Sequence, residues 1–290
     1  MKRASKLILG LALTIAMVSC NKDENNSTIT AEEAGINAKM DIANDDVSDI
    51  VEQEEASTYS NTLNGKTTEA SNTTFSNCAT VTRVPAFGTP ITPGTVVTKT
   101  IDFGTTPCLL NNGNSVSGKI IISFTYQPTA PSHTITYTFD NFRHNAILYV
   151  GNKTFTRVMT AAPNSHPVIT MNMDITATFP NGNSYNRVGQ RVREIIEGYG
   201  TPANWADNVY RITGSWTTTF PSTTIQYSTI TTPLIVKLSC VALNKPLLVS
   251  GVITIVRNSN TATLDYGNGD CDNTAVFTLN GVPHTIIIGN

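Results

Sequence analysis

Charge is scarce in this 290-residue chain, with Asp, Glu, Lys and Arg together making up only 14% of it. A nucleic-acid surface would show clustered Lys and Arg, and no such cluster is present, so a nucleic-acid partner is not expected. The four histidines, His133, His144, His166 and His284, stand at no metal or triad spacing, and each reads as a strand surface residue. Gly-x-Ser-x-Gly elbows, phosphate loops and paired zinc motifs are missing, which removes the common hydrolase and nucleotide signatures. No pair of cysteines has the close Cys-x-x-Cys spacing of a structural zinc site. No cofactor is expected. After residue 18 no apolar run is long enough to cross a membrane, which takes about 20 residues.

What is present begins with an export signal. Lys2, Arg3 and Lys6 form a positive start, and Leu7 to Val18 an apolar stretch too short for a comfortable span. The stretch ends at Met17-Val18-Ser19-Cys20, which resembles a lipobox with Met in place of the usual Leu. The resemblance implies cleavage before Cys20 and lipid on its sulfur and freed amine. Several acyl chains on one residue make attachment stable, whereas one chain binds only marginally. Asn21-Lys22-Asp23-Glu24 resembles the Lys-plus-acidic signal that sends lipoproteins of the Bacteroidota to the cell surface. The expected location is the outer membrane, on its surface or periplasmic face.

About 270 residues remain after the signal, enough for one large or two small domains. They hold 16 basic and 21 acidic residues, and the excess is local: residues 20–56 carry 11 acidic and 2 basic. Thr30-Ala31-Glu32-Glu33 reads as a capping box. Met40, Ala43, Val47, Ile50 and Val51 recur at helical steps and give an amphipathic helix over 31–56, with an internal break expected around Gly35, Asn44, Asp45 and Asp46. That helix is expected to pack its apolar face on the remainder of the chain or to bind a partner. Residues 20–30 read as a tether and 57–77 as a linker.

From residue 78 to 290 almost everything alternates with a period of two. Residues 96–103, 118–126, 133–139, 168–179, 209–220, 223–238, 247–256, 261–266 and 275–288 read as strands. Residues 191–198 fit either a bent strand or one helical turn. Short turns such as Asn181-Gly182 and Asn280-Gly281 join them, and the spacings leave no room for crossover helices. The fold class expected is all-β, a long antiparallel meander, open or curved, with one N-terminal helix.

The cysteines other than Cys20 are Cys78, Cys108, Cys240 and Cys271, an even number in an exported chain. Thr100-Ile101-Asp102-Phe103-Gly104 precedes Cys108 by the same three residues that separate Thr263-Leu264-Asp265-Tyr266-Gly267 from Cys271. Cys78 lies 30 residues before Cys108, and Cys240 lies 31 before Cys271. The repeat favours Cys78–Cys108 and Cys240–Cys271, with cross-unit pairing and free thiols as the alternatives. It also favours a structural role for Asp102 and Asp265.

Asp265-Tyr266-Gly267 with Cys271-Asp272-Asn273, and Trp205-Ala206-Asp207 with Tyr210-Arg211-Ile212-Thr213-Gly214, resemble a group of Bacteroidota lipoproteins carrying an Asp-Tyr-Gly…Cys-Asp-Asn motif before a last strand. The resemblance covers the chain from about Cys78 on and implies location and architecture, with no activity.

Two sites are candidates for ligands. Asn268, Asp270 and Asp272 alternate like the first oxygen ligands of a calcium loop. Asn273 takes the place of the glycine such a loop needs, however, and Leu279 that of its bidentate Glu. Arg191 and Arg193, with Trp205 nearby in sequence, could grip a sugar or a carboxylate. The function expected is a non-catalytic, membrane-anchored module with a protein or glycan partner. A binder of lipid or another small hydrophobe, with the helix as lid, is the alternative. A glycan-acting enzyme comes third, since it would need two facing carboxylates.

Overall fold

The structure, a computed structural model, describes residues 28–63, 78–163, 165–201 and 204–289. The export signal, Cys20, Asn21-Lys22-Asp23-Glu24 and residues 64–77 lie outside the described residues.

The period-two segments form one antiparallel sheet of 14 strands. They are β1 (Thr80–Val84), β2 (Val96–Asp102), β3 (Cys108–Leu109), β4 (Ser115–Thr125), β5 (Ser132–His144), β6 (Ile147–Met159) and β7 (Pro167–Thr178). β8 (Ser184–Glu197), β9 (Val209–Thr219), β10 (Ile225–Lys237), β11 (Leu248–Arg257), β12 (Asn260–Asn268), β13 (Thr274–Leu279) and β14 (Val282–Ile287) complete it. Spatial order follows chain order, except that the two-residue β3 pairs only with β4. The sheet is an open meander, as the short turns require. Arg191 to Glu197 is strand, the continuation of β8.

One helix, α1 (Ala31–Leu63), lies on the concave side. It starts at the capping box: Thr30 Oγ1 accepts from the Glu33 amide, and Glu33 Oε2 accepts from the Thr30 amide. It continues unbroken through Asn44 and the Asp pair and runs to Leu63, so residues 57–63 are helix and not linker. Nor is it buried on one face alone. Every residue from Met40 to Glu55 is buried, the charged ones included. The helix is the axis around which the sheet curls, so its polar side faces protein just as its apolar side does.

Curling needs bulges and local small residues. β5 breaks register between Thr138 and Arg143, and β10 between Thr229 and Leu234. The second break holds Pro233, which a regular inner strand would not accommodate. Glycines do related work at the centre. Gly189 in β8 faces Trp216 in β9, and Arg191 in β8 faces Gly214 in β9. A Cβ at Gly189 would stand 2.4 Å from Trp216 Cβ, and one at Gly214 would stand 2.3 Å from the Gln190 carbonyl oxygen. Trp216 and Arg191 therefore each lie opposite a residue with no side chain.

The repeat has a structural basis. Asp102 accepts from the Gly104 amide at 2.8 Å and Asp265 from the Gly267 amide at 2.9 Å, the same turn in both units. The aromatic between them, Phe103 or Tyr266, points into the core. Cys78 is bonded to Cys108 and Cys240 to Cys271, with Cα atoms 5.8 and 5.4 Å apart. This is the pairing within units that the repeat favoured.

Candidate functional site: a charge-filled interior

The acidic residues of α1 meet cations that project inward from the sheet. Asp41 is one node: Arg187 Nη1 donates to Oδ1 at 2.6 Å, Arg191 Nη2 donates to the same oxygen, and the Tyr266 hydroxyl donates to Oδ2 at 2.7 Å. Asp46 is a second, contacted by Asn112 Nδ2 at 2.7 Å, Asn114 Nδ2 at 2.8 Å and His144 Nε2 at 2.7 Å. Toward the helix C-terminus, Lys99 Nζ donates to Glu54 Oε2 and Ser57 Oγ, each at 2.8 Å. Glu55 contacts His133 Nε2 and lies 3.4 Å from Arg157 Nη1. Toward the N-terminus, Arg257 Nη2 donates to Glu33 Oε1 at 2.6 Å.

Five of the inward cations are backed by a ring. The Arg187 and Arg191 guanidiniums lie 5.0 and 4.2 Å from the centre of the Trp216 ring. Arg193 lies 3.6 Å from Tyr210, Arg257 4.9 Å from Phe220 and Lys153 Nζ 5.7 Å from Tyr137. The arrangement repeats along the axis as helix polar group, sheet cation, aromatic ring. Burying a charge alone is costly, and a carboxylate on one side with a π face on the other offsets that cost.

The offset is incomplete for some groups. Burial raises the Asp45 carboxyl to about 6 and the Glu52 carboxyl to about 7, although Arg191 and Arg193 pull the first down and Arg193 the second. Burial lowers the Lys153 ammonium to about 7, aided by Arg191 and opposed by Asp45. Glu52 Oε1 stands 3.0 Å from Arg193 Nε, within ion-pair distance, but the two are not aligned as a hydrogen bond.

Arg191 and Arg193 therefore do not form a solvent-facing sugar or carboxylate grip with Trp205. They are buried against α1, while Trp205 sits half-buried in a 3-10 turn, Trp205–Asp207, ahead of β9. Glu194 faces outward and takes its hydrogen bonds from Arg211 and His166, which hold its carboxyl below the usual range. Two histidines depart from the surface reading: His144 is buried on Asp46, and His133 is half-buried on Glu55. In the calcium candidate, Asp272 Oδ1 accepts from the Thr274 amide and hydroxyl, an Asx turn. Among the described residues no three His, Cys, Asp or Glu side chains gather as metal ligands. No helix among them is long and apolar enough to cross a membrane.

The sequence carries a signal for these ion pairs. Lys99 sits in phase with Val97 and Ile101, Lys153 with Tyr149 and Phe155, and Arg187, Arg191 and Arg193 with Tyr185 and Ile195. A cation in the apolar phase of a strand implies a buried counter-charge, and the acidic segment 31–56 is where that charge resides.

The fold and interior define an antiparallel meander curled around an axial acidic helix. No family model, curated protein or solved structure matches the chain.

Proposed function

We propose that the chain is a lipid-anchored, non-catalytic interaction or structural module of the outer membrane, held by acyl chains on Cys20. One observation carries the non-catalytic part: the concave side, where a ligand or substrate would sit, is occupied by the chain's own helix. One cavity lined by α1 and the sheet has a volume of about 10 Å³. Small-molecule sites run to hundreds of Å³, so this cavity does not hold a lipid. The carboxylates of Asp41, Asp46, Glu54 and Glu55 already meet Arg, Lys, His, Asn or Tyr side chains. A protein or glycan partner would then meet the convex face or the rims.

The anchor is tested by Cys20→Ala, which should abolish palmitate labelling and move the protein from the membrane to the soluble fraction. Labelling that persists in the mutant overturns the reading. Protease added to intact cells separates surface display, in which the sheet is digested, from a periplasmic face, in which it is protected.

A further inference from the structure

Cations of the sheet meet carboxylates of α1 directly, as Lys99 meets Glu54 and Arg187 meets Asp41. Lys153 differs. Its Nζ donates to a neutral amide oxygen, Asn44 Oδ1. That contact sets a primary amine beside Asn44 Cγ, the carbonyl carbon to which the oxygen is bonded. Through the nitrogen of the same amide, Asn44 Nδ2 donates to Asp45 Oδ1 at 3.4 Å. Asn44, Asp45 and Lys153 are 4%, 1% and 2% exposed. Tyr137 and Met173, the cross-strand partners of Lys153, are buried on either side of it. Amine, amide and carboxyl thus stand together in a dry interior, with 109 residues of chain between the amine and the amide.

We propose that Lys153 and Asn44 become joined by an isopeptide bond, with Asp45 relaying the proton. Lys153 Nζ attacks Asn44 Cγ to form a C–N bond, and the bond from Cγ to Nδ2 breaks. The proton lost by Nζ passes through the Asp45 carboxyl to Nδ2, which leaves as ammonia. An amine and a primary amide are consumed, a secondary amide and ammonia are formed, and no co-reactant is needed. Burial lowers the Lys153 ammonium to about 7, and desolvation of this kind is how a lysine becomes a nucleophile. Burial also raises the Asp45 carboxyl to about 6, which suits a group that takes up and releases a proton near neutrality. Holding the amine against the amide replaces a bimolecular encounter, and the exclusion of water suppresses competing hydrolysis. Each chain needs the reaction only once, so a slow step suffices. The amide nitrogen so formed does not titrate, and any pH dependence of Lys153 belongs to chains not yet linked.

The test is the intact mass of the full chain with its disulfides reduced, followed by a tryptic map. The mass should fall short of that of the amino-acid sequence by one ammonia. The map should contain a branched peptide joining residues 40–66 to 144–157, because trypsin does not cut after a linked Lys153. Lys153→Arg and Asn44→Ala should each abolish the loss of ammonia, and Asp45→Ala should slow it. A parent chain with no mass deficit overturns the proposal. Ammonia loss with both peptides recovered unlinked overturns it too, since an Asn-Gly succinimide would give that result. A branched peptide short by one water instead places the bond on a carboxylate and overturns the assignment to Asn44. Linking in Asp45→Ala as fast as in the parent overturns the proton relay. If the variants do not fold, the mass and map of the unaltered chain decide the matter.

Discussion

Arg187 and Tyr266 donate to opposite oxygens of the Asp41 carboxylate, although their strands, β8 and β12, stand four places apart in the sheet. A flat sheet would hold strands so separated about 19 Å apart at the usual spacing. One helix carboxylate thus fixes the curvature across five strands.

Asp41→Ala should therefore be among the most damaging single changes. It leaves Arg187 and Arg191 buried without their shared acceptor, and breaking a buried pair on one side costs about 3–5 kcal/mol. Urea unfolding followed by circular dichroism measures it. Asp140→Ala on the exposed outer face is the control, expected within about 0.5 kcal/mol of the parent.

Stability should depend on pH between about 4 and 7. Asp45 rises from 3.8 to about 6 and Glu52 from 4.5 to about 7 on folding. A raised carboxyl binds its proton more tightly in the folded state. Its contribution is thus full below the unfolded value and is lost as pH climbs through the folded one. Lys153, lowered from 10.5 to about 7, acts from the other side. Its contribution is full above 10.5 and is lost as pH falls toward 7. These three groups together stabilise least near neutrality. In Glu52→Gln the loss between pH 4.5 and 7 should shrink, measured as the midpoint of urea unfolding at each pH. An unchanged slope would contradict the assignment to Glu52.

Each disulfide closes a loop of about 30 residues, worth roughly 3–4 kcal/mol in the chain-entropy model. Cys78→Ser with Cys108→Ser, and separately Cys240→Ser with Cys271→Ser, should each lower stability by that order. A non-reducing peptide map of the parent should recover only Cys78–Cys108 and Cys240–Cys271 links.

Gly214→Ala places a methyl group 2.3 Å from the Gln190 carbonyl oxygen, at a backbone φ of 138° that side chains rarely adopt. The backbone of β8 or β9 must move, and Arg191 moves with it. Overpacking of this kind costs about 1–3 kcal/mol, and thermal unfolding should show it as a fall in Tm.

Much of this fold was legible in the chain itself. The meander followed from period-two segments and Asn-Gly turns, the start of α1 from Thr30 and Glu33, and the disulfides from the duplicated Asp-aromatic-Gly turn. The fate of α1 was not legible from its own residues. Asn44, Asp45 and Asp46 are poor helix formers, and only partners far away in sequence, such as Asn112, Asn114 and His144 on Asp46, keep them helical. Tertiary contacts likewise carry the helix past Ser57, whose hydroxyl receives Lys99. Arg191 and Arg193 looked like a surface grip because a strand sequence does not say which of its faces is covered. Their phase with Tyr185 and Ile195 does say it, once the alternation is followed through β8.

Both disulfides join segments that border the sheet, and no cysteine of either bond lies in α1. Because the strands follow chain order, the ribosome makes the helix before any strand that will enclose it. Its carboxylates must stay hydrated until strands as late as β12 supply their donors, Tyr266 reaching Asp41 across 225 residues. Contacts so distant in sequence carry a large loop-closure cost before they yield any gain. The sheet can grow hairpin by hairpin, but the cage closes only at the end.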